Sequence, residues 1–164
     1  DAGSVSVNTT VIGLGERAGN ASFEQISMAL KHLYDQARHF DALGMRTLVD
    51  IVAEAAGVSL AHNAPIVGDH IFSHESGIHA DGMMKDGRAY EPFAAEEVAC
   101  QRAFPIGKHS GTGTILYHLK ELGISAEKHA LHHLLPRIRE IVTSRKRVLD
   151  DAELVSLYRE SLCL

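Results

Sequence analysis

The first stretch whose residue types could do chemistry is a glycine-rich turn, GLGERAGN, at residues 13–20. Its glycines permit positive φ angles and a close approach of the backbone to a ligand. The same turn carries a carboxylate, a guanidinium and a neutral amide oxygen on Glu16, Arg17 and Asn20. It follows a strand-like run and precedes a helical pattern, which is where α/β folds hold their sites. The alternative is a tight turn closed by an internal pair between Glu16 and Arg17.

Two further stretches carry polar residues among glycines. HESGIHADGMMKD at residues 74–86 combines acidic and basic side chains, and Tyr90 follows it closely. GKHSG at residues 107–111 presents lysine, histidine and serine side chains ahead of a helical pattern. These side chains could contact a phosphate or carboxylate at the N-terminus of that helix. The alternative is a structural turn, because both glycines stand where a tight loop needs them.

The three stretches, in this order, resemble the C-terminal part of the homocitrate synthase and isopropylmalate synthase family, which are metal-dependent TIM barrels. The resemblance extends from about Asn8 to about Ser144. The motif sequences are most similar to those of the homocitrate synthases associated with nitrogen fixation. It implies an acetyl-CoA-dependent Claisen condensation with a 2-oxoacid. The favoured oxoacid is 2-oxoglutarate, which gives homocitrate. Isopropylmalate or citramalate synthesis is the alternative. A noncatalytic helical subunit or fragment, which docks on a barrel half and forms dimers, is a second alternative.

The resemblance also implies roles for residues of the first turn. Asn20 is similar to a ligand of the catalytic metal, and its neutral oxygen suits Mg²⁺ or Mn²⁺. The family's other metal ligands lie upstream of this chain. Asn20 is also compatible with a plain position at the start of the next helix. Glu16 and Gly19 resemble residues at the acetyl-CoA end of the site, and we expect Arg17 to brace the turn by a charge-assisted hydrogen bond.

The acid/base pair implied by the resemblance is His79 with Tyr90. Condensation takes a proton from the acetyl methyl group and gives one to the new alkoxide, and a histidine, with an ordinary pKa of about 6.5, can serve either step. The alternative is a surface or packing histidine. The charged and polar neighbours expected to orient this histidine are His74, Glu75, Asp81 and Lys85. Met83 and Met84 are expected to pack rather than bind a cofactor.

Length and composition limit what the chain can be. It has 164 residues, 45% of them apolar, which suffices for one domain or one domain with an appendage. A whole TIM barrel needs roughly 250 residues, so we expect a C-terminal piece that lacks a barrel half. The resemblance implies that its partners are this missing barrel half and a second copy, in a homodimer with exchanged helical subdomains. The start at Asp1, without an initiator methionine, leaves open a cut, a separately encoded subunit or a processed product.

Charge and cysteine content point away from several protein classes. The net charge of −5 offers no basic field for nucleic acid. No apolar run approaches the roughly 18 to 20 residues of a membrane span, and no signal peptide is visible. The cysteines, Cys100 and Cys163, lack a CxxC spacing, so a reducing cytoplasm without a required disulfide is expected.

The helical patterns predict a mainly α fold to position these residues. The resemblance implies that it consists of the last strand and helix of a TIM barrel followed by helical C-terminal subdomains. Alternating residues predict the strand from Val5 to Ile12. Ser22 begins a capping-box pattern before a helix whose apolar face carries Phe23, Ile26, Leu30 and Leu33. We expect residues 1–40 to end the barrel, 41–106 to form a linker subdomain with the catalytic loop, and 107–164 to form a helical subdomain. Helix faces that lack the barrel should be exposed.

Further helices follow from local signals. Gly57 should end a helix with an apolar face of Leu48, Ile51, Val52 and Ala55. Residues 58–92 read as a long irregular segment, and residues 94–100 as a short helix. A helix after Gly111 should end at Gly123, and another, capped by Ser125, should kink or restart at Pro136. Asp150 or Asp151 should cap the last helix.

Overall fold

The computed structural model describes residues 3–34, 36 and 40–162. Six α-helices lie in that part of the chain: α1 Phe23–His32, α2 Met45–Ala56, α3 Gly77–Lys85, α4 Thr112–Glu121, α5 Leu134–Arg145 and α6 Asp151–Ser161. Short 3-10 helices are found at Val11–Gly13, Ala95–Val98 and Lys128–Leu131. The described part of the chain is mainly helical, as the sequence predicts.

The strand expected from Val5 to Ile12 is not formed, and this prediction is corrected. The pairing of this run within the described residues is a single bridge between Thr10 and Ser22. The chain then turns into the 3-10 helix Val11–Gly13. Extended backbone becomes a strand only where a neighbour completes the hydrogen-bond ladder, and the described residues supply no such neighbour here.

One compact unit consists of Asp1–Phe72 and Glu91–Gln101. Its core combines buried residues of α1 and α2 with residues of the connecting segments: Met28, Ala42, Met45, Val49, Val67, Phe72, Ala95 and Val98. Arg46 fixes one of these segments, because its guanidinium donates to the Val67 carbonyl at 3.0 Å and to Asp69 at 2.6 Å. This unit carries the glycine-rich turn.

The second compact unit consists of Ser73–Tyr90 and Arg102–Leu164. Its core lies between α4, α5 and α6 and contains Ile106, Ile115, Leu119, Leu131, Leu134, Ile138, Val142, Leu149, Leu154 and Leu157. Helix α3 packs against α4. This unit carries the other two motifs.

Local capping signals locate most helix ends, as predicted. The Ser22 side chain caps α1 by accepting a backbone N–H, and Asp150 caps α6 within a capping box. Gly57 ends α2 with a left-handed φ of 66°, and Gly123, with φ 73°, follows α4. Each signal depends on the chain within a few residues, which is why the sequence suffices to find it.

The start of α5 differs in part from the prediction. Ser125 does not cap it, because the 3-10 helix Lys128–Leu131 intervenes and α5 begins at Leu134. Pro136 is the third residue of α5. Its missing N–H costs no hydrogen bond there, because the first N–H groups of a helix have no intrahelical acceptor. The predicted restart of the helix around Pro136 is therefore confirmed.

The segment expected to be irregular over residues 58–92 contains α3, which is a second correction. Gly77 and Gly82 lie in this helix and weaken its pattern in the sequence. Ala80 and Met83 are its buried residues, so the packing role expected for Met83 is confirmed. The short helix predicted over residues 94–100 is also present, as a 3-10 helix.

The apolar faces predicted for α1 and α2 are partly exposed. Exposed positions are Leu30, Leu33, Leu48 and Ile51, whereas the buried residues of these helices are Glu24, Met28, Met45 and Val49. The expectation of exposed apolar helix faces is therefore confirmed for the described residues.

Among the described helices, none is long and apolar enough to cross a membrane. The division into segments 1–40, 41–106 and 107–164 stays a prediction, because contacts within this chain do not test boundaries in a longer enzyme.

Candidate functional site

The glycine-rich turn closes on itself through the residue at its end. The backbone N–H of Asn20 donates to the Gly13 carbonyl at 2.9 Å, and that of Gly19 donates to the Glu16 carbonyl at 3.0 Å. A Cβ atom on Gly19 would lie 2.3 Å from the Gly13 carbonyl oxygen. The glycine is therefore required by the turn itself, and its expected contact with acetyl-CoA stays a prediction.

The side-chain amide of Asn20 has a defined orientation. Its Nδ2 atom donates to the Leu14 carbonyl at 2.9 Å, and a Cβ atom on Gly15 would lie 2.3 Å from the same nitrogen. Since the nitrogen is committed to the turn, the amide oxygen is the atom that can accept a hydrogen bond or coordinate a cation. Asn20 is exposed, so a ligand can reach that oxygen.

A buried carboxylate supports the turn from α1. Glu24 is 3% exposed, and its Oε2 atom accepts the backbone N–H of Ile12 at 3.1 Å. Ile12 has a left-handed φ of 51°, a conformation that is uncommon outside glycine and needs support from its surroundings. The sequence interpretation missed Glu24, although an acidic residue in the first turn of a helix was a visible signal.

Arg17 does not brace the turn as expected. Within the described residues, neither its guanidinium nor the Glu16 carboxylate makes a hydrogen bond or an ion pair, and both side chains are exposed. The alternative of an internal pair between Glu16 and Arg17 is likewise wrong. The charges of both residues therefore face solvent, and the role of Glu16 toward acetyl-CoA stays a prediction.

The residues predicted as an acid/base pair are neighbours in the second unit. His79 is the third residue of α3, and its ring centroid lies 4.5 Å from that of Tyr90, with an angle of 45° between the planes. Both side chains are exposed. The imidazole and the phenol therefore belong to neighbouring rings that solutes can reach, and their acid/base role stays a prediction.

Asp81 does not orient His79 by an ion pair. Its carboxylate contacts Lys85 at 2.5 Å, one turn later on α3, and Lys128 at 3.7 Å. The hydrogen bond from Lys85 lowers the pKa of the Asp81 carboxyl, and Lys128 adds to this. The orienting role expected for Asp81 and Lys85 is thus replaced by a pair within the helix.

Glu75 supports the GKHSG turn. Its Oε1 atom accepts the backbone N–H of His109 at 2.9 Å, and the Ser110 hydroxyl accepts the backbone N–H of Gly107 at 2.9 Å. A Cβ atom on Gly107 would lie 2.3 Å from the Glu75 carboxyl carbon. The structural alternative for GKHSG is therefore confirmed.

An open groove of about 350 Å³ lies beside this turn. Its lining combines basic side chains with one carboxylate and apolar atoms: Glu75, Lys108, His109, Val142, Thr143, Lys146, Arg147 and Val148.

Among the residues described by the structure, no group of three or more His, Cys, Asp and Glu side chains could hold a metal ion. The orientation of the Asn20 amide fits the contribution of one oxygen ligand to a hard cation. Burial raises the pKa of the Cys100 thiol, so this residue is not an activated nucleophile. Cys163 lies outside the described residues.

Comparison with protein families identifies residues 66–146 as matching the family described as homocitrate synthase post-HMGL domain-like. This range includes the HESGIHADGMMKD and GKHSG motifs and Tyr90. It does not include the glycine-rich turn.

Similar proteins are synthases by name. The chain is 43% identical over 97% of its length to 2-isopropylmalate synthase 2 of Caldanaerobacter subterraneus, covering 41% of that protein. It is 42% identical over 97% of its length to homocitrate synthase 1 of a Nostoc species, covering 42% of it. It is 38% identical over 98% of its length to 2-phosphonomethylmalate synthase of Streptomyces rubellomurinus, covering 43% of it.

The chain spans about two fifths of the length of these relatives. The match nevertheless includes nearly all of the chain, with the glycine-rich turn, the histidine motif and GKHSG in one order. The chain therefore belongs to the homocitrate synthase and isopropylmalate synthase family and corresponds to a C-terminal part of such an enzyme.

Proposed function

We propose that the chain is the C-terminal part of an enzyme that condenses acetyl-CoA with a 2-oxoacid, and that 2-oxoglutarate is the oxoacid and homocitrate the product. The observation that supports this most directly is the contact between the His79 and Tyr90 rings at 4.5 Å. It joins two proton-transfer groups at an accessible place in a chain related to condensing synthases.

Residues of the second unit carry out the proton transfers. An imidazole nitrogen of His79 takes a proton from the acetyl methyl group or returns one to the alkoxide formed by carbon–carbon bond formation. The Tyr90 hydroxyl donates a hydrogen bond or relays that proton. The thioester is then hydrolysed, and CoA leaves.

The glycine-rich turn contributes binding groups for the metal and for acetyl-CoA. The amide oxygen of Asn20 would hold a divalent cation together with ligands from the remainder of the enzyme, and Glu16 and Gly19 would line the acetyl-CoA end. When bound, Mg²⁺ or Mn²⁺ polarises the keto group of the oxoacid. The hydrogen bond from Nδ2 to the Leu14 carbonyl keeps the amide oxygen available for this role.

The partners of this chain are the remaining barrel and a second copy. Exposed apolar side chains on α1 and α2, such as Leu30 and Ile51, are faces that a barrel or a second subunit would cover. We propose a homodimer with exchanged helical subdomains, which would allow each subunit to contribute to its partner's site.

The test is release of CoA from acetyl-CoA by the full-length enzyme, measured with 2-oxoglutarate, 2-oxoisovalerate and pyruvate in parallel, with Mg²⁺ or Mn²⁺. The proposal expects the highest kcat/KM with 2-oxoglutarate. A preference for 2-oxoisovalerate or pyruvate would identify isopropylmalate or citramalate synthesis instead, and no release with any oxoacid would favour a noncatalytic role.

The same assay on the 164-residue chain tests the division of the site. We expect no CoA release from this chain alone and recovery after addition of a barrel half. Activity of the chain alone would contradict a metal site that needs ligands from elsewhere.

A further inference from the structure

Gly82 lies in the interior of α3, where glycine is disfavoured relative to almost every other residue. A Cβ atom built on Gly82 would lie 2.9 Å from Cε2 of Tyr90, with Cδ2 at 3.7 Å and Cζ at 3.8 Å. The Tyr90 ring therefore occupies the space that any side chain at position 82 would need. Close packing of the Tyr90 ring against α3 therefore requires glycine at position 82, even though glycine weakens the helix.

The same helix face carries His79. Residues three apart on a helix are neighbours on its surface, so His79 and Gly82 form adjacent parts of one face. Tyr90 contacts both, with ring centroids 4.5 Å apart for His79 and a ring edge against Gly82. How closely the Tyr90 ring approaches this helix face therefore sets its distance from the His79 imidazole.

A tight turn returns the chain to this face. After α3, the Asp86 carboxylate accepts the backbone N–H of Arg88 at 2.9 Å, and the Asp86 carbonyl accepts that of Ala89 at 3.0 Å. The Tyr90 side chain is 49% exposed, so no surrounding core fixes the ring. The ring contacts described above, with His79 and at Gly82, are both with α3.

From these contacts we infer that Gly82 is a positioning residue for the acid/base pair: the absence of a side chain at position 82 allows the Tyr90 ring to lie beside His79. The inference rests on the proposed function for its catalytic consequence. The placement of the two rings can be measured without it.

The variant that tests the inference is Gly82→Ala, and the matched control is Gly113→Ala. Gly113 is also helical, on α4, but a Cβ atom there would meet its nearest atoms at ordinary distances, 3.7 Å from Asp81 and 3.9 Å from Lys128. Neither glycine has a positive φ, and alanine favours helix over glycine. Both variants should therefore keep α3 and α4 folded, although Gly82→Ala loses the contact of Tyr90 with α3 and should gain less stability than Gly113→Ala. Urea unfolding will verify this.

The first measurement is independent of catalysis. In the full-length protein with isotope-labelled histidine, NMR reports the ring-current shift that Tyr90 imposes on the His79 ring protons, assigned with His79→Ala and Tyr90→Ala. Gly82→Ala should move this signal toward its position in Tyr90→Ala, whereas Gly113→Ala should leave it in place. An unchanged His79 signal in a folded Gly82→Ala protein would overturn the inference.

The second measurement is kinetic. Gly82→Ala should lower kcat about 10- to 100-fold, as expected for a misplaced catalytic group, with little change in KM for the oxoacid. In a Tyr90→Ala background the same substitution should cost nothing further, because its effect acts through the tyrosine. Independent losses that multiply would overturn the inference. If the parent enzyme shows no condensation, the proposed function fails, while the NMR comparison still decides whether Gly82 places the two rings.

Discussion

The Oε1 atom of Glu75 accepts the backbone N–H of His109 at 2.9 Å, so a carboxylate from one motif holds the turn formed by another. The backbone N–H of Gly77 also donates to the His109 carbonyl, at 3.1 Å. A Cβ atom on Gly77 would approach the backbone nitrogen of Gly111 to 3.0 Å. These contacts fix the start of α3, and with it the direction in which His79 leaves the helix.

Removal of this carboxylate should destabilise the protein. Glu75→Ala leaves the His109 N–H without its acceptor, and we expect the free energy of unfolding to fall by about 1–2 kcal/mol. Glu75→Gln keeps an oxygen acceptor and should lose less. Urea unfolding measures both changes, and equal losses in the two variants would argue against the hydrogen bond as the cause.

Asn20→Ala should weaken the dependence on metal specifically. The variant loses the amide oxygen, so the Mg²⁺ or Mn²⁺ concentration for half-maximal activity of the full-length enzyme should rise about 10-fold or more. Asn20→Asp restores an oxygen ligand but cannot donate to the Leu14 carbonyl. The metal concentration for half-maximal activity should therefore rise less in this variant than in Asn20→Ala. Activity measured across a metal titration gives both values.

The control for Asn20 is Ser22→Ala, two residues along. Ser22 caps α1 by accepting the backbone N–H of Gln25 at 3.2 Å, and its loss should cost about 1 kcal/mol of stability. It should leave the metal midpoint unchanged. A similar midpoint shift in both variants would return Asn20 to a purely structural role.

The features that the sequence predicts well are local. Ser22, Gly57 and Asp150 mark helix ends because each cap is completed by atoms within a few residues. The glycine-rich turn is recognisable for the same reason, since Gly13 and Asn20 close it through a direct backbone hydrogen bond.

The features that the sequence predicts poorly depend on contacts between distant segments. The sequence of α2 predicts an apolar face that includes Ile51, but Ile51 is exposed and the buried residues are Met45 and Val49. Which face is buried depends on the neighbouring segments that pack against the helix. Helix α3 is not predicted because Gly82 weakens its helical pattern. That glycine makes room for Tyr90, a contact that local patterns do not reveal. The family resemblance indicates His79 and Tyr90 as a pair, whereas helical periodicity alone does not place them together.

Acid pH should remove one specific contribution to stability. The Arg147 guanidinium donates to the Glu153 carboxylate at 2.6 and 2.8 Å. This contact and the backbone N–H of Asp150 lower the pKa of Glu153 from 4.5 to about 2. A lowered folded-state pKa means that the contribution is complete above about pH 5 and is lost as the pH falls toward 2.

Glu153→Gln isolates this effect. The variant should be less stable than the parent at pH 7, and the difference should shrink as the pH falls from 5 toward 2. Thermal unfolding across this range is the measurement. Glu121→Gln on α4 is the control, because within the described residues its carboxylate has no ion pair or hydrogen bond. A difference between parent and Glu153→Gln that stays constant with pH would contradict the assignment.

His79→Ala should separate proton transfer from substrate binding. Loss of the imidazole removes a group expected to act in the transition state, so kcat of the full-length enzyme should fall about 100- to 10,000-fold, with KM for the oxoacid nearly unchanged. Because His79 is exposed, the variant should fold normally. Steady-state kinetics together with urea unfolding distinguish loss of chemistry from loss of structure.

The control is His133→Ala, which removes another exposed histidine, at the start of α5, that makes no side-chain capping hydrogen bond. Its kinetics should match those of the parent. A parent-like kcat in His79→Ala would remove this residue from the mechanism, and Tyr90 would then have to act without an imidazole partner. A large rise in KM with kcat preserved would instead assign His79 to binding, because uniform binding of substrate and transition state changes KM alone.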